Sequence, residues 1–203
     1  MNCANSIEPN CISSPQNHVA APDQAITAFE SRSAYVYRVC LVKDPSVFFG
    51  ENCNITNPSH AQAILKDLIL TRGQPDREHF IVAMLNSKND LIGFNIVSVG
   101  SLSAATVHPR EVLKPAIIAS SAAIILCHNH PSGDPQPSED DRSITRTIVK
   151  AADIIGIRVL EHLIIDLGSD RYFSFADAGL IEKAYAEFGR STIAHRIVDH
   201  IFS

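Results

Sequence analysis

The chain has 203 residues, 45% of them hydrophobic and 19% charged, a composition typical of a globular protein that excludes a disordered chain. This length allows one well-buried domain with an appendage and excludes two large domains. The formal net charge is −5 and no block of Lys or Arg is present, which argues mildly against nucleic acid as the main partner and leaves room only for a local basic patch.

Membrane and secretory segments are not indicated. No apolar run reaches the length of a membrane span, and residues 1–9 show no basic region followed by an apolar core. The cysteines are scattered and odd in number: Cys3, Cys11, Cys40, Cys53 and Cys127. Because they form no C-x-x-C pair, we expect neither a disulfide framework nor a cysteine zinc site, and we expect a reducing cytoplasm as the location.

Two segments precede the core of the domain. Residues 1–32 are rich in Asn, Ser, Pro and Ala without periodicity and predict a loosely ordered tail. Residues 33–55 predict an extension, in which the β-rich stretch from Ala34 to Lys43 forms a strand and an Asn-rich turn follows.

The next elements are a helix and a hairpin. Asn57 is a good helix cap and Pro58 suits the first helical position, so a helix is predicted from there to Gly73. Two apolar, β-branched runs, His79–Leu85 and Leu91–Val99, flank a polar turn and predict a β-hairpin.

A helix, a buried strand and an irregular loop are predicted next. Pro109 opens a helix that runs to about Ser121, with Glu111 in its first turn. Ala123–Cys127 is short and fully apolar, and it predicts a buried strand. His128–Pro135 follows at once, and its Pro and Gly residues predict irregular structure.

The last third of the chain predicts helices around a second hairpin. Ser138 caps a helix that runs to about Ile155. Ile157–Asp166 and Arg171–Phe175 predict the two hairpin strands, and residues 177–203 predict a helix in two pieces. Strands interleaved with helices, mostly joined by hairpins, indicate an α/β domain with a mixed, mostly antiparallel sheet.

Three side chains around the irregular loop have the types and spacing of a zinc site. Side chains at positions i and i+2 of an extended chain point the same way, so His128 and His130 converge at the end of the buried strand. Asp141 lies in the first turn of the next helix, and we expect the loop to fold this turn back over the histidines. Two imidazoles and one carboxylate leave one position of a tetrahedral zinc open for water, whose pKa falls to roughly 7 there.

Such a site needs a general base outside the metal ligands, and a carboxylate is the usual choice. Two glutamates are candidates. Glu78 stands at the start of the first hairpin, and Glu111 stands in the first turn of a helix. The residue pattern alone does not rank them.

Other chemically capable residues have simpler interpretations. Strand alternation turns Cys127 away from the histidines, so we expect a buried core residue and not a nucleophile. His162 is either a support for a metal ligand or a core histidine. Asp140 competes with the next aspartate as a ligand, but it is more simply a helix-start carboxylate. His195 and His200 are expected on a solvated helix face.

The loop and the helix after it match a known pattern. The JAMM metalloprotease motif H-x-H-x7-S-x2-D is present at every fixed position: His128, His130, Ser138 and Asp141. Further blocks surround it in order: Glu78–Phe80, Leu85–Asn89, His108–Val112, Pro131–Asp134, and His162 with Ile164 and Ile165. Over residues 56–180 the chain therefore resembles the bacterial RadC family.

This resemblance implies a fold and a metal. The fold is the JAB1/MPN domain, of the cytidine-deaminase-like α/β type, over residues 56–180, which leaves residues 181–203 as a C-terminal helical extension. The implied metal is one zinc ion, held by His128, His130 and Asp141.

The resemblance also implies catalytic roles. Ser138 would stabilise the oxyanion by a hydrogen bond to the metal water or to the carbonyl oxygen. The JAMM glutamate lies well upstream of the histidines, at the edge of the first core strand, which favours Glu78 as the base. Glu111 then becomes a helix-start residue, stabilised by the helix dipole and paired with Arg110.

The implied function is that of a zinc metallopeptidase or isopeptidase acting on a peptide or protein substrate. One alternative is a non-enzymatic binding module in DNA processing or in a mobile-element complex. Another is hydrolysis of a different amide-like or nucleotide substrate at the same zinc. The historical DNA-repair label transfers poorly, because residues 1–55 show no helix-hairpin-helix pattern, and the chain resembles the short members of the family.

Overall fold

A computed structural model of the chain describes residues 40–41, 53–100 and 107–188. These residues contain five strands and four helices, which follow one another along the chain as α1 (Pro58–Arg72), β1 (Glu78–Leu85), β2 (Leu91–Gly100), α2 (Pro109–Ile118), β3 (Ala123–Asn129), α3 (Glu139–Ile154), β4 (Arg158–Ile165), β5 (Tyr172–Ser174) and α4 (Leu180–Phe188).

All five strands form one mixed sheet in the order β2-β1-β3-β4-β5. Strand β1 is antiparallel to both of its neighbours, β2 and β3. Strand β4 runs parallel to β3 and antiparallel to β5. The only parallel pair among the described strands is therefore the one that α3 connects, and the predicted α/β fold with a mostly antiparallel sheet is confirmed.

Helices cover both faces of the sheet because the central strands alternate apolar side chains between two cores. On one face, Phe80, Val82, Ile124 and Leu126 pack with apolar residues of α2, α3 and α4. On the other face, the odd-numbered residues of β1 and β3 pack against α1. Burial on both faces explains why these strands are almost continuously apolar in sequence.

Both ends of helix α1 lie where capping chemistry predicts them. The Asn57 side chain accepts a hydrogen bond of 2.8 Å from the His60 N–H, and Pro58 is the first residue of α1. At the other end, the Gly73 N–H donates to the Ile69 carbonyl, and an added Cβ would lie only 2.7 Å from that oxygen. A larger residue would therefore collide with the last turn of the helix.

Some predicted boundaries are wrong. Strand β3 continues through His128 and Asn129, which the sequence assigns to irregular structure, because β1 and β4 extend their pairing along both residues. Helix α2 ends at Ile118, short of the predicted Ser121, where the positive φ of 54° at Ser120 turns the chain. Strand β5 keeps only three residues of the predicted five.

Several predictions lie outside the described residues: the tail at 1–32, most of the strand at 34–43, and the last helical piece at 189–203. Cys40 and Leu41 are the two residues of the predicted strand that the structure describes, and they lie in neither a helix nor a strand. None of the helices within the described ranges has both the length and the apolar character needed to cross a membrane.

Candidate metal centre

The antiparallel pairing of β1 and β3 brings two distant parts of the sequence together. Phe80 is the partner of His128, and the same register continued by two residues places Glu78 opposite His130. The start of β1 and the end of β3 therefore meet at one edge of the sheet. The first turn of α3 returns to the same edge, because α3 leaves from β3 on its way to the parallel strand β4.

Both histidines of the H-x-H pair present a ring nitrogen to the same point. The Nε2 atoms of His128 and His130 lie 3.1 Å apart. His128 is fully buried, whereas the His130 side chain is 19% exposed. The pair therefore has one ring inside the protein and one at its surface.

Asp141 completes the group. Its Oδ1 lies 3.2 Å from His128 Nε2, and its Oδ2 lies 3.7 Å from His130 Nε2. The carboxylate is held by a capping box at the start of α3, in which Oδ2 accepts hydrogen bonds from the backbone N–H and the hydroxyl of Ser138, at 2.7 and 2.6 Å. Asp140, the competing aspartate, is exposed.

Glu78 lies beside the surface histidine. Its Oε1 is 3.9 Å from His130 Nε2, and its side chain is 15% exposed. Glu78, His128 and His130 also form a compact group that could hold a metal ion. Glu111, the other candidate base, has its carboxylate engaged by Lys114 at 2.7 Å and Arg110 at 3.3 Å, and the predicted pairing with Arg110 is confirmed.

In both His128 and His130, Nδ1 lies within hydrogen-bond distance of another group of the protein. His130 Nδ1 lies 2.6 Å from the Asp134 carbonyl oxygen, which can only accept, so Nδ1 carries the proton and Nε2 is free to bind. His128 Nδ1 lies 2.8 Å from His162 Nε2. His162 is fully buried and makes this contact from the neighbouring strand β4.

Charges at the site are strongly coupled. Burial alone would raise the pKa of Asp141, but the imidazoles of His128 and His130 outweigh it and lower the pKa well below the usual range. The Asp141 carboxylate in turn raises the pKa of His130. Burial lowers the pKa of His162 well below its ordinary value. A negatively charged carboxylate therefore lies against the two imidazoles, while burial favours the neutral form of His162.

Asn129, between the two histidines, points to the opposite side of the strand. Its Oδ1 accepts from the His79 N–H at 3.0 Å, and its Nδ2 donates to the Arg77 carbonyl at 2.9 Å. These two contacts bracket Glu78 on both sides along the backbone. The sequence analysis did not assign this role, although strand alternation already separates Asn129 from the histidines.

The turn between β4 and β5 contacts the loop of residues 131–137, which connects the histidines to α3. Arg171 Nη2 donates to the Gly133 carbonyl at 3.1 Å and to Asp166 Oδ2 at 2.9 Å. This contact ties the loop of residues 131–137 to the turn between β4 and β5. The loop also carries Asp134, whose carbonyl oxygen orients His130.

Cys127 has no part in this group. It is fully buried in the core against α1, as strand alternation predicts. Burial raises the pKa of its thiol, so it is unsuited to act as a nucleophile. His195 and His200 lie outside the described residues.

Zinc fits the donor set. Around a tetrahedral zinc with bonds of 2.0–2.1 Å, ligand atoms lie about 3.3 Å apart. The separations of 3.1, 3.2 and 3.7 Å among His128, His130 and Asp141 are close to that value. A cation at this point would lie between two imidazole nitrogens and a carboxylate, which are the donor types that zinc accepts.

The described residues form a mixed five-stranded sheet flanked by four helices, with paired histidines at the end of a central strand. The family model described as a RadC-like JAB domain matches residues 55–180. The chain belongs to the RadC family.

Curated relatives carry the name UPF0758 protein. The one from Rubrobacter xylanophilus is 46% identical over 127 residues, which are 63% of this chain and 53% of the relative. The one from Caldanaerobacter subterraneus subsp. tengcongensis is 45% identical over 139 residues, 68% of this chain and 55% of the relative. The one from Symbiobacterium thermophilum is 54% identical over 104 residues, which are 51% of this chain and 44% of the relative. The chain thus spans about half the length of these relatives.

Proposed function

We propose that this chain is a zinc-dependent hydrolase of the JAMM type that cleaves a peptide or isopeptide bond with a metal-activated water. The observation that carries the proposal is the convergence of acceptor atoms from His128, His130 and Asp141, which lie 3.1–3.7 Å from one another. A second carboxylate, that of Glu78, stands 3.9 Å from His130 Nε2.

Zinc, when bound, lowers the pKa of a coordinated water to about 7 and polarises the carbonyl of the substrate. Of the two carboxylates, Asp141 is the closer to both histidines and is the third ligand in this proposal. Glu78 is the general base: a carboxylate oxygen of Glu78 takes a proton from the attacking water and then delivers it to the leaving amine.

Ser138 is proposed to assist by a hydrogen bond to the oxygen that gains negative charge. Its single hydroxyl proton is directed at Asp141 Oδ2, at 2.6 Å. Stabilising an oxyanion therefore requires that the hydroxyl rotates towards the substrate, while the Ser138 N–H keeps its own bond to the same carboxylate oxygen at 2.7 Å.

The decisive experiment compares Glu78→Gln with Glu111→Gln. Wild-type protein loaded with zinc is screened against peptide, isopeptide and nucleotide substrates, and both variants are tested on any substrate that is turned over. We expect Glu78→Gln to retain one zinc and to lose turnover by at least about 100-fold, as removal of a general base does. Glu111→Gln, which only breaks exposed ion pairs, should keep both zinc and turnover.

The same screen separates the alternatives. Turnover of nucleotides but not of peptides would replace the proposed substrate while keeping the site. Full activity in Glu78→Gln would refute the assigned base. Salt-sensitive DNA affinity that persists in His128→Ala, in a protein without any turnover, would support a non-enzymatic binding module instead.

A further inference from the structure

Behind the candidate metal centre, a third histidine is fixed inside the apolar core. His162 is 0% exposed and stacks on Phe175, with ring centroids 4.7 Å apart and planes at 21°. Phe80 meets it edge-on at 5.5 Å. The ring therefore has little freedom to turn, and both of its nitrogens find partners within the protein.

The partners of His162 define the direction of every hydrogen bond in a short chain. Thr145 Oγ1 lies 2.5 Å from the Asp141 backbone carbonyl, which can only accept, so the hydroxyl donates its single proton there. The same Oγ1 lies 2.6 Å from His162 Nδ1 and must accept from it. A neutral His162 protonated on Nδ1 has a bare Nε2, and this atom accepts from His128 Nδ1 at 2.8 Å.

For a neutral His128 this order of donors fixes the position of its single ring proton. With its proton on Nδ1, its Nε2 carries a lone pair, and that lone pair faces His130 and Asp141 at the point where the metal ligands converge. The chain of bonds starts from the backbone carbonyl of Asp141 and ends on the histidine that meets the carboxylate of the same residue. Strands β3 and β4 and helix α3 are thereby linked in a closed ring around the site.

We propose that Thr145 and His162 are positioning residues, which hold His128 in the tautomer and orientation that leave Nε2 available to a divalent metal. This inference rests on the proposed zinc site and adds to it two residues that touch neither metal nor substrate. Partners that orient a metal-binding histidine in this way contribute 10–100-fold to metal affinity in other proteins, and we expect the same order here.

The test compares variants that remove the Thr145 hydroxyl, keep it, or remove His162. Thr145→Val keeps the branched shape and removes the hydroxyl, whereas Thr145→Ser keeps the hydroxyl. Thr147→Val is the matched control, because Thr147 stands on the same helix, is exposed, and donates to the Ser143 carbonyl at 2.9 Å in the same way. His162→Leu removes the acceptor for His128 directly.

Two readouts are measured on these proteins. Zinc affinity is determined by competition with a chromophoric chelator, and the histidine tautomers of the metal-free proteins are determined from ring nitrogen chemical shifts by NMR. We expect Thr145→Val and His162→Leu to bind zinc about 10–100-fold more weakly. Thr145→Ser and Thr147→Val should stay within about threefold of the wild type. The Nδ1-protonated form of His128 should dominate in the wild type and become a mixture in Thr145→Val.

Wild-type zinc affinity in Thr145→Val, together with an unchanged His128 tautomer, would overturn the proposal. So would an equal loss of affinity in Thr145→Val and Thr147→Val. These results are independent of hydrolysis: a protein that binds zinc in this pattern but cleaves nothing keeps the positioning roles and loses the proposed activity. Because the tautomer is measured without metal, it decides the matter even if zinc binds weakly to every variant.

Discussion

The Ser138 hydroxyl donates a 2.6 Å hydrogen bond to Oδ2 of Asp141, and the Asp141 backbone N–H donates a 3.1 Å bond back to Ser138 Oγ. One residue thus caps helix α3 and orients a candidate metal ligand. Ser138→Ala should lower the free energy of unfolding of the metal-free protein by about 1 kcal/mol, the usual cost of losing a helix cap. Chemical denaturation measures this difference.

Ser143→Ala is the control for this prediction, since Ser143 is exposed on the same helix. An exposed substitution of this kind changes stability by no more than about 0.5 kcal/mol. Equal effects of the two serine variants would show that the capping box adds nothing to the stability of the helix. The role of Ser138 towards an oxyanion stays a prediction and needs the substrate assay.

Zinc should stabilise the folded protein by binding to His128, His130 and Asp141. Ligand at about 1,000 times its dissociation constant contributes roughly 4 kcal/mol. In a domain of this size that corresponds to a rise in Tm of about 8–16 °C. Differential scanning fluorimetry with and without zinc should show the rise in the wild type and little of it in His130→Ala or Asp141→Ala.

His60→Ala is the matched control for the thermal shift, because His60 is exposed on α1. It should respond to zinc as the wild type does. A full zinc response in His130→Ala would mean that the metal binds elsewhere, and it would contradict the candidate site.

Zinc affinity should fall as the pH falls, with the loss beginning above pH 6.5. The Asp141 carboxylate raises the pKa of His130, so a proton competes for its Nε2 already at pH values where an isolated histidine is neutral. Metal binding requires the neutral ring and releases this proton. Chelator competition at pH 6, 7 and 8 measures the effect, and a constant affinity down to pH 6 would contradict it.

Much of this site follows from local rules applied to the sequence. Convergence of His128 and His130 requires only the two-residue alternation of an extended chain, and the position of Asp141 requires only a helix start after Ser138. The ends of the strands, in contrast, depend on pairing with neighbouring strands, which local rules do not predict. The predicted end of β3 at Cys127 was wrong because pairing with β1 and β4 carries the strand two residues further.

Residues that act through long-range register were not predictable in the same way. Asn129 brackets Glu78 only because β1 and β3 pair in one particular register, and His162 reaches His128 only because β3 and β4 lie side by side. For Thr145 a local indication did exist. It stands four residues after Asp141, on the same face of α3, where a hydroxyl can bond back to the carbonyl of that residue.

Asn129→Ala should destabilise the protein without lowering its affinity for zinc. The change leaves the His79 N–H and the Arg77 carbonyl without their partner, which costs about 1–3 kcal/mol of unfolding free energy. Because the Asn129 side chain points away from the two histidines, zinc affinity should stay near the wild-type value. Any hydrolysis should fall more than zinc affinity, since the backbone around Glu78 loosens.

Asn95→Ala provides the comparison, because Asn95 is an exposed strand residue in β2. It should leave unfolding, zinc affinity and turnover close to those of the wild type. A loss of zinc affinity in Asn129→Ala as large as that in a ligand variant would contradict this prediction. It would mean that the two Asn129 hydrogen bonds position the histidines and not Glu78.

The turn between β4 and β5 should make stability depend on pH through Asp166. Its carboxylate accepts from the Ser169 hydroxyl at 2.6 Å, from the Gly168 N–H at 2.9 Å and from Arg171 at 2.9 Å. These bonds, that of Ser169 above all, lower the pKa of Asp166 to about 2, against about 3.9 for an unfolded chain.

A pKa that is lower in the folded state means that folding releases protons, so the contribution of Asp166 to stability is complete above about pH 4 and is lost as the pH falls towards 2. The difference in unfolding free energy between the wild type and Asp166→Asn should therefore shrink between pH 5 and pH 2.5, as measured by urea denaturation. Asp170→Asn, whose side chain is 98% exposed in the same turn, supplies the reference for removing a surface carboxylate. The same difference at both pH values would contradict the lowered pKa of Asp166 and the contribution of its hydrogen bonds to the stability of this turn.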